Sequence, residues 1–258
     1  MSPSTVRARI NGVGLLTALG LVALWEAAVR SGVLVYQYLP APTPVLASAG
    51  ELIASGELPA NVLHTLTVTL IGWVAAGVIG IGLGVLLGLS QTAYRYSITS
   101  FEVLRAIPPI TFVPAALLIF GFSLRMELVI VVYAGAWPLL INTLGGARGV
   151  PAELLDTARM LRMSRATTIR KIILPAATPA IVVGLRLALS MCLVLAVVAE
   201  MVGNPAGLGN ALVRAQRALQ PEQMFAYVLA AGVLGVTLNG LFRSTVGALL
   251  PASRQAQA

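Results

Sequence analysis

The chain has 258 residues, 58% of them hydrophobic and only 10% charged, with a mean hydropathy of +0.90. This excludes an ordinary soluble domain, and the repeated apolar runs of about twenty residues match the roughly 30 Å of hydrocarbon that a helix must cross. A net charge of +8 would fit nucleic acid, but the basic residues segregate by membrane side instead of lining one soluble face, so that class is excluded too.

Arg7 and Arg9 precede an apolar run over 13–29 that contains Glu26. Its length, and the lack of a small-x-small cleavage site after it, predict a retained first span and not a signal peptide. After the proline-rich 39–44, Thr43 is expected to cap a short amphipathic helix to about Ser55, lying in the outer interface. The second span covers 62–89, where Gly80, Gly84 and Gly88 recur every four residues. Such a stripe lets a neighbouring helix approach closely; a pore-lining face is the alternative. Its overlapping Gly-x-Gly repeats are no nucleotide loop, because no strand precedes them. His64 reads as a helix-end histidine, with a proton relay as the alternative.

A short inner connection over 94–100 leads into a third span, 98–122, which Pro108, Pro109 and Pro114 should bend. Broken helices in lipid belong where protein or a water-filled path takes up the freed carbonyls. Pro108, Pro109 and Thr111 are therefore pathway candidates, with a purely structural kink as the equal alternative. Residues 121–127 form an outer turn before a fourth span, 128–144, which carries Trp137 and Asn142 as further candidates. Asn142 needs a hydrogen-bond partner, which places it against another helix or a cavity. The fifth span, 180–202, contains Arg186 and Glu200. Arg186 faces a pathway or snorkels to the inner surface; Glu200 is expected at the outer surface. An outer loop with a short interfacial helix over 211–218 precedes the last span, 224–242, and a short tail. The fold class is thus an all-α membrane protein: one domain over 1–258, a bundle of about six transmembrane helices. With both termini cytoplasmic, only Arg30, Arg125, Arg214 and Arg217 of the basic residues fall outside.

Between the fourth and fifth spans lies a polar island, 148–179. Leu154, Leu155, Ala158 and Leu161 recur there at helical spacing, while Asp156, Arg159 and Arg162 occupy other faces. Pro151 and Glu153 suit a helix start, and Ser164 can cap a second short helix that Pro175 and Pro179 should end near Ile173. The run Asp156-Thr157-Ala158, three residues, Arg162, nine residues, Ile172-x-Leu174-Pro175 resembles the EAA loop of bacterial ABC importer permeases, Glu-Ala-Ala-x3-Gly-x9-Ile-x-Leu-Pro. Asp156, Thr157 and Arg162 depart from it, and Arg162 stands where the pattern has glycine. Further stretches sit in the order seen in nitrate/sulfonate/taurine-type permeases, from about Leu39 to Phe242: Leu39-Pro-Ala-Pro42, Arg105-Ala-Ile-Pro-Pro109, Leu174-Pro-Ala-Ala177, Gly184-Leu-Arg186, Ala199-Glu-Met201 and Gly207-Leu-Gly209.

The resemblance implies a type I importer-like permease in the bacterial inner membrane. Its implied partners are a second permease copy (the same or a related chain), two ATPase subunits and a periplasmic or lipid-anchored solute-binding protein. It implies ATPase coupling through Glu153, Leu154, Asp156, Thr157, Ala158, Arg159, Leu161, Arg162 and Ser164. The solute itself is not legible. The residues agree on one negative point: the only lysine, Lys171, follows Arg170 and lies in no Walker A motif. No nucleophile elbow, zinc-spaced histidine pair or cluster of intramembrane acids is visible. The single Cys192 excludes a disulfide within the chain and makes a metal cluster unexpected. No cofactor is expected on this chain and it is not expected to be an enzyme; ATP and Mg would sit on the ATPase. A stand-alone secondary transporter or channel is the competing class.

Overall fold

A computed structural model describes residues 12–249; the expectations for Arg7, Arg9 and Arg254 lie outside them. The chain forms α1 (Gly12–Arg30), α2 (Pro42–Ala54), α3 (Glu57–Leu89), α4 (Gln91–Ala106), α5 (Val113–Phe120), α6 (Leu124–Arg148), α7 (Ala152–Met160), α8 (Arg165–Thr168), α9 (Leu174–Gly203), α10 (Leu208–Arg217) and α11 (Pro221–Leu249). A 3₁₀ turn, Pro109–Phe112, precedes α5, and a π turn, Ile169–Ile173, joins α8 to α9. Among the described residues there is no strand. Five helices are long and apolar enough to cross a membrane, and α4 with α5 makes a sixth, bent by 82°.

The centre of the bundle is the contact between α3 and α6. Gly72, Ala76, Gly80, Gly84 and Gly88 face Val131, Gly135, Leu139, Thr143 and Ala147, each partner 59 residues further on (131 against 72, 147 against 88). A Cβ added at Gly80, Gly84 or Gly88 would lie 2.6 Å from the Cβ of Leu139, Thr143 or Ala147. The glycine stripe is therefore a packing seam. Between lipid-solvated helices such close backbone approach supplies the van der Waals attraction that water would otherwise drive. The constant offset also means that α3 and α6 run parallel, so the chain between them must cross the bundle once. The bent α4–α5 pair makes that crossing.

Helix α9 runs antiparallel along both. Gly146 meets Ala180 and Ala177, Gly184 meets Asn142, and Gly135 meets Cys192, so the residue number rises on one helix as it falls on the other. The Trp73 indole N–H donates to the Leu185 carbonyl at 2.9 Å and ties α3 to α9. Val68, Met126, Ile130, Val131 and Ala196 are buried at the centre.

Several boundaries differ from expectation. Residues 94–100 are not a connection: Ser90 caps α4, accepting from Ala93 N at 3.1 Å, and the helix passes straight through them. Thr43 does not cap α2. Ala41 holds that position, and Thr43 instead donates its N–H (3.0 Å) and hydroxyl (2.7 Å) to Glu26, fastening α2 to α1. Pro175 and Pro179 do not end the island's second helix; both lie within α9. The π turn just before them opens the ladder where a proline ring would crowd the preceding turn, so the helix continues.

Gly84→Ala should lower the stability of the purified chain by about 1–3 kcal/mol through overpacking against Thr143. Gly82→Ala, with open space around its Cβ, should leave it unchanged or slightly raised. Thermal unfolding in detergent checks both.

Candidate functional site

The polar island folds as a capped knob. Ser164 Oγ accepts from Thr167 N at 3.3 Å and starts α8 as expected. Helix α7 ends with two bonds, Met163 N to Ala158 O and Arg162 N to Arg159 O, both 3.0 Å. This paired closure puts the residue after the cap in the left-handed region, and Arg162 takes it at φ 48°. Arginine thus keeps the turn for which the pattern uses glycine. Thr157 donates its hydroxyl to Glu153 O at 2.7 Å, and Arg159 pairs with Asp156 at 2.8 Å on an exposed face, where the pair adds little.

The island's apolar residues do not form one face. Ala158 is buried (3%) and Leu155 partly so, next to Val150, Ile169 and Ile173. Leu154 (44%), Leu161 (69%) and Met160 (84%) point outward. Met160, the last residue of α7, lies outside the stripe that helical spacing predicts and is the most exposed of the three.

The broken crossing satisfies its own carbonyls. Thr111 donates both its N–H (3.0 Å) and its hydroxyl (2.7 Å) to Pro108 O, and Tyr133 OH donates to Leu104 O at 2.6 Å. Tyr133 also heads an aromatic ladder, 4.9 Å from Phe112 and 5.5 Å from Trp137, which in turn lies 6.1 Å from Phe101. Those rings brace the bend against α6. Trp137 lines an apolar groove of about 520 Å³ between α3, α4 and α6. Asn142 packs on α9 at Gly184, but its side chain donates one turn back, to Pro138 O at 2.8 Å, so its partner is its own helix. Arg186 lies elsewhere, in a pocket between α9 and α11. Among the described residues, Trp137 and Arg186 thus line different pockets.

At the end of the bundle opposite the knob, the structure gathers residues that the sequence left apart. Glu200 is not at the surface. It is fully buried, accepting from Thr65 Oγ1 at 3.0 Å and Gly209 N at 2.9 Å. Glu127 is also fully buried, 3.1 Å from His64 Nε2 and 2.5 Å from Asn204 Nδ2. His64, Glu127 and Glu200 offer ligand atoms within 4.8 Å of one another, so intramembrane acids do cluster here. Asn61 Oδ1 accepts from Gly207 N (3.1 Å) and Thr65 Oγ1 from Leu208 N (3.0 Å). Gly207 has φ 92°, and a Cβ there would lie 2.5 Å from Glu200 Oε1; only glycine lets this turn close on the carboxylate. The network ties α3, α6, α9 and the start of α10 into one plug. The one local signal is the Gly207-Leu-Gly209 turn that follows Glu200; the His64 and Glu127 partners carry none.

An all-helical bundle with parallel α3 and α6, a broken crossing and a capped polar knob defines a multi-pass membrane permease. Residues 76–255 match the family described as binding-protein-dependent transport system inner membrane component, and the chain belongs to it. Among its relatives is a putative aliphatic sulfonates transport permease of Bacillus subtilis, 32% identical over 89% of this chain and 83% of its own. Another is a bicarbonate transport system permease of Synechococcus elongatus, 30% identical over 90% and 88%. A nitrate import permease of Synechocystis is 29% identical over 84% and 82%. In fold the chain is similar to an inward-facing structure of the MetNI methionine ABC transporter, with a TM-score of 0.59 at 20% identity, covering 71% of this chain and 94% of that one. The chain is a transmembrane permease subunit of an ABC importer.

Thr65→Val would leave the Leu208 N–H without its acceptor and Glu200 without one donor in a buried place. It should cost about 1–3 kcal/mol, read as a lower unfolding temperature of the purified chain.

Proposed function

We propose that α7 is the surface through which a separate ATPase moves this permease. The observation that carries the reading is the exposed trio Leu154, Met160 and Leu161 on a short helix fixed at both ends by hydrogen-bonded turns. Apolar side chains held out on a rigid stub, away from the long apolar helices, are suited to a groove in a soluble partner. The family supports the wider assembly: a second permease copy, two ATPase subunits that bind ATP and Mg, and a binding protein that delivers solute. In this reading the knob and both termini face the cytoplasm. The solute is small and of the kind its relatives are named for: a sulfonate, nitrate or bicarbonate. Glu153, Asp156, Thr157 and Arg159 form the polar flank of the docking helix, while Ala158, buried in the chain itself, supports it from behind. Movement of α7 would pass into α9 through α8 and the π turn and change access along the spans.

Leu161→Glu should cut solute-stimulated ATP hydrolysis by the assembled importer about tenfold or more while the chain still inserts. Unchanged hydrolysis and co-purification with the ATPase would remove the docking role. A charge at Ala158 would instead test the fold of the knob.

Arg162→Gly separates two effects. Relief of the left-handed arginine should stabilise the isolated chain by about 1 kcal/mol. If its guanidinium pairs with an acidic residue of the ATPase groove, the same variant should weaken co-purification. Assembly as tight as that of the unaltered chain would dismiss the pairing.

A further inference from the structure

The pocket holding Arg186 has a volume of about 1040 Å³ and lies between α9 and α11. Asn239 Nδ2 donates to Ser190 Oγ at 3.3 Å, and a Cβ at Gly235 would lie 3.2 Å from Leu193 Cδ2. These contacts fix the two helices as antiparallel. One turn from Ser190 on α9 is Arg186, and one turn from Asn239 on α11 is Arg243; both line the pocket at the same level. Among the described residues neither guanidinium has a carboxylate partner, and none of the chain's nine acidic residues lines the pocket.

Two arginines at one depth repel each other, and each is costly in the hydrocarbon unless an anion joins them. Along α11 Arg243 lies 22 residues from Pro221, about 33 Å, so the pair sits where a bilayer roughly 30 Å thick ends on the knob side. The walls above the pair are of another kind. Gly232 and Gly235 leave α11 bare, and Leu187 and Val236 form exposed apolar lips. A charged floor at headgroup depth and an apolar slot leading away from it match an amphipathic ligand. A small solute would use only the floor.

We propose that this pocket binds an anionic phospholipid of the knob-side leaflet. The lipid phosphate is held by Arg186 and Arg243, with Asn239 beside them, and an acyl chain lies along Leu187 and Val236. Guanidinium groups meet phosphate oxygens in pairs, and basic pockets between transmembrane helices at this depth suit such headgroups.

The test is native mass spectrometry of the full chain in mild detergent, titrated with phosphatidylglycerol and, separately, phosphatidylcholine. The unaltered chain should retain phosphatidylglycerol in preference. The Arg186→Gln/Arg243→Gln variant should bind it about twenty-five-fold more weakly, at roughly fivefold per arginine, and Arg186→Lys/Arg243→Lys should keep most of the affinity. Both arginines are exposed, so the glutamine variant should fold, and an unchanged unfolding temperature checks this. Equal retention of the two lipids, or equal binding of phosphatidylglycerol by the glutamine variant, overturns the proposal. So does displacement of the lipid by millimolar methanesulfonate, which would assign the arginines to a soluble oxyanion. Binding to the single chain but not to its dimer also overturns it, because a second copy would then cover the pocket.

Discussion

The parallel seam between α3 and α6 is the constraint from which the rest of the bundle follows. Two helices can share five successive close contacts at a fixed offset only if both run the same way, and a chain that leaves one must come back across the bundle to start the other. The return passes through α4 and α5, and it is bent rather than straight. Bending in lipid frees carbonyls, and the fold meets part of that cost locally: Thr111 donates to Pro108 O and Tyr133 to Leu104 O.

Hydropathy made the spans legible, and four-residue glycine spacing made the seam legible, because both are local and periodic. The prolines marked the break but not its 82° angle, which depends on Phe112, Tyr133 and Trp137 packing across it. Pro175 misled for the same reason. Whether a proline stops a helix depends on whether the preceding turn can widen, and here it does. The plug of His64, Glu127 and Glu200 was out of reach because its members come from three helices far apart in sequence. A lone acid near a span end looks like a surface residue until the Gly207 turn is folded over it. The knob was legible as two capped helices, but which of its apolar residues point inward was not. That depended on Ala147, Val150 and Ile173 filling the space behind α7.

The two ends of the bundle have opposite characters. At one, carboxylates, amides, a hydroxyl and a histidine interlock among buried surfaces. At the other, a short helix stands out with Leu154 and Met160 uncovered, next to the exposed Leu161, and with only an exposed Arg159–Asp156 pair on its polar side. Close packing of glycine, alanine and β-branched residues runs the length between them, with little give in its cross-section. A structure rigid along its length and fixed at one end responds to a load at the other as a whole.

From Arg165 to Val202 the polypeptide is one continuous helical rod of 38 residues, about 57 Å long. Bolted near its far tip through Glu200, it has a fulcrum there. A lateral push on the long arm beside Ser164 would arrive as torque, with the largest sweep on the side of the push and almost none at the bolt. A few ångströms of displacement at the handle would then tilt the rod by only a few degrees. The widened π turn at Ile169–Ile173 interrupts the regular ladder on that path, between the handle and α9.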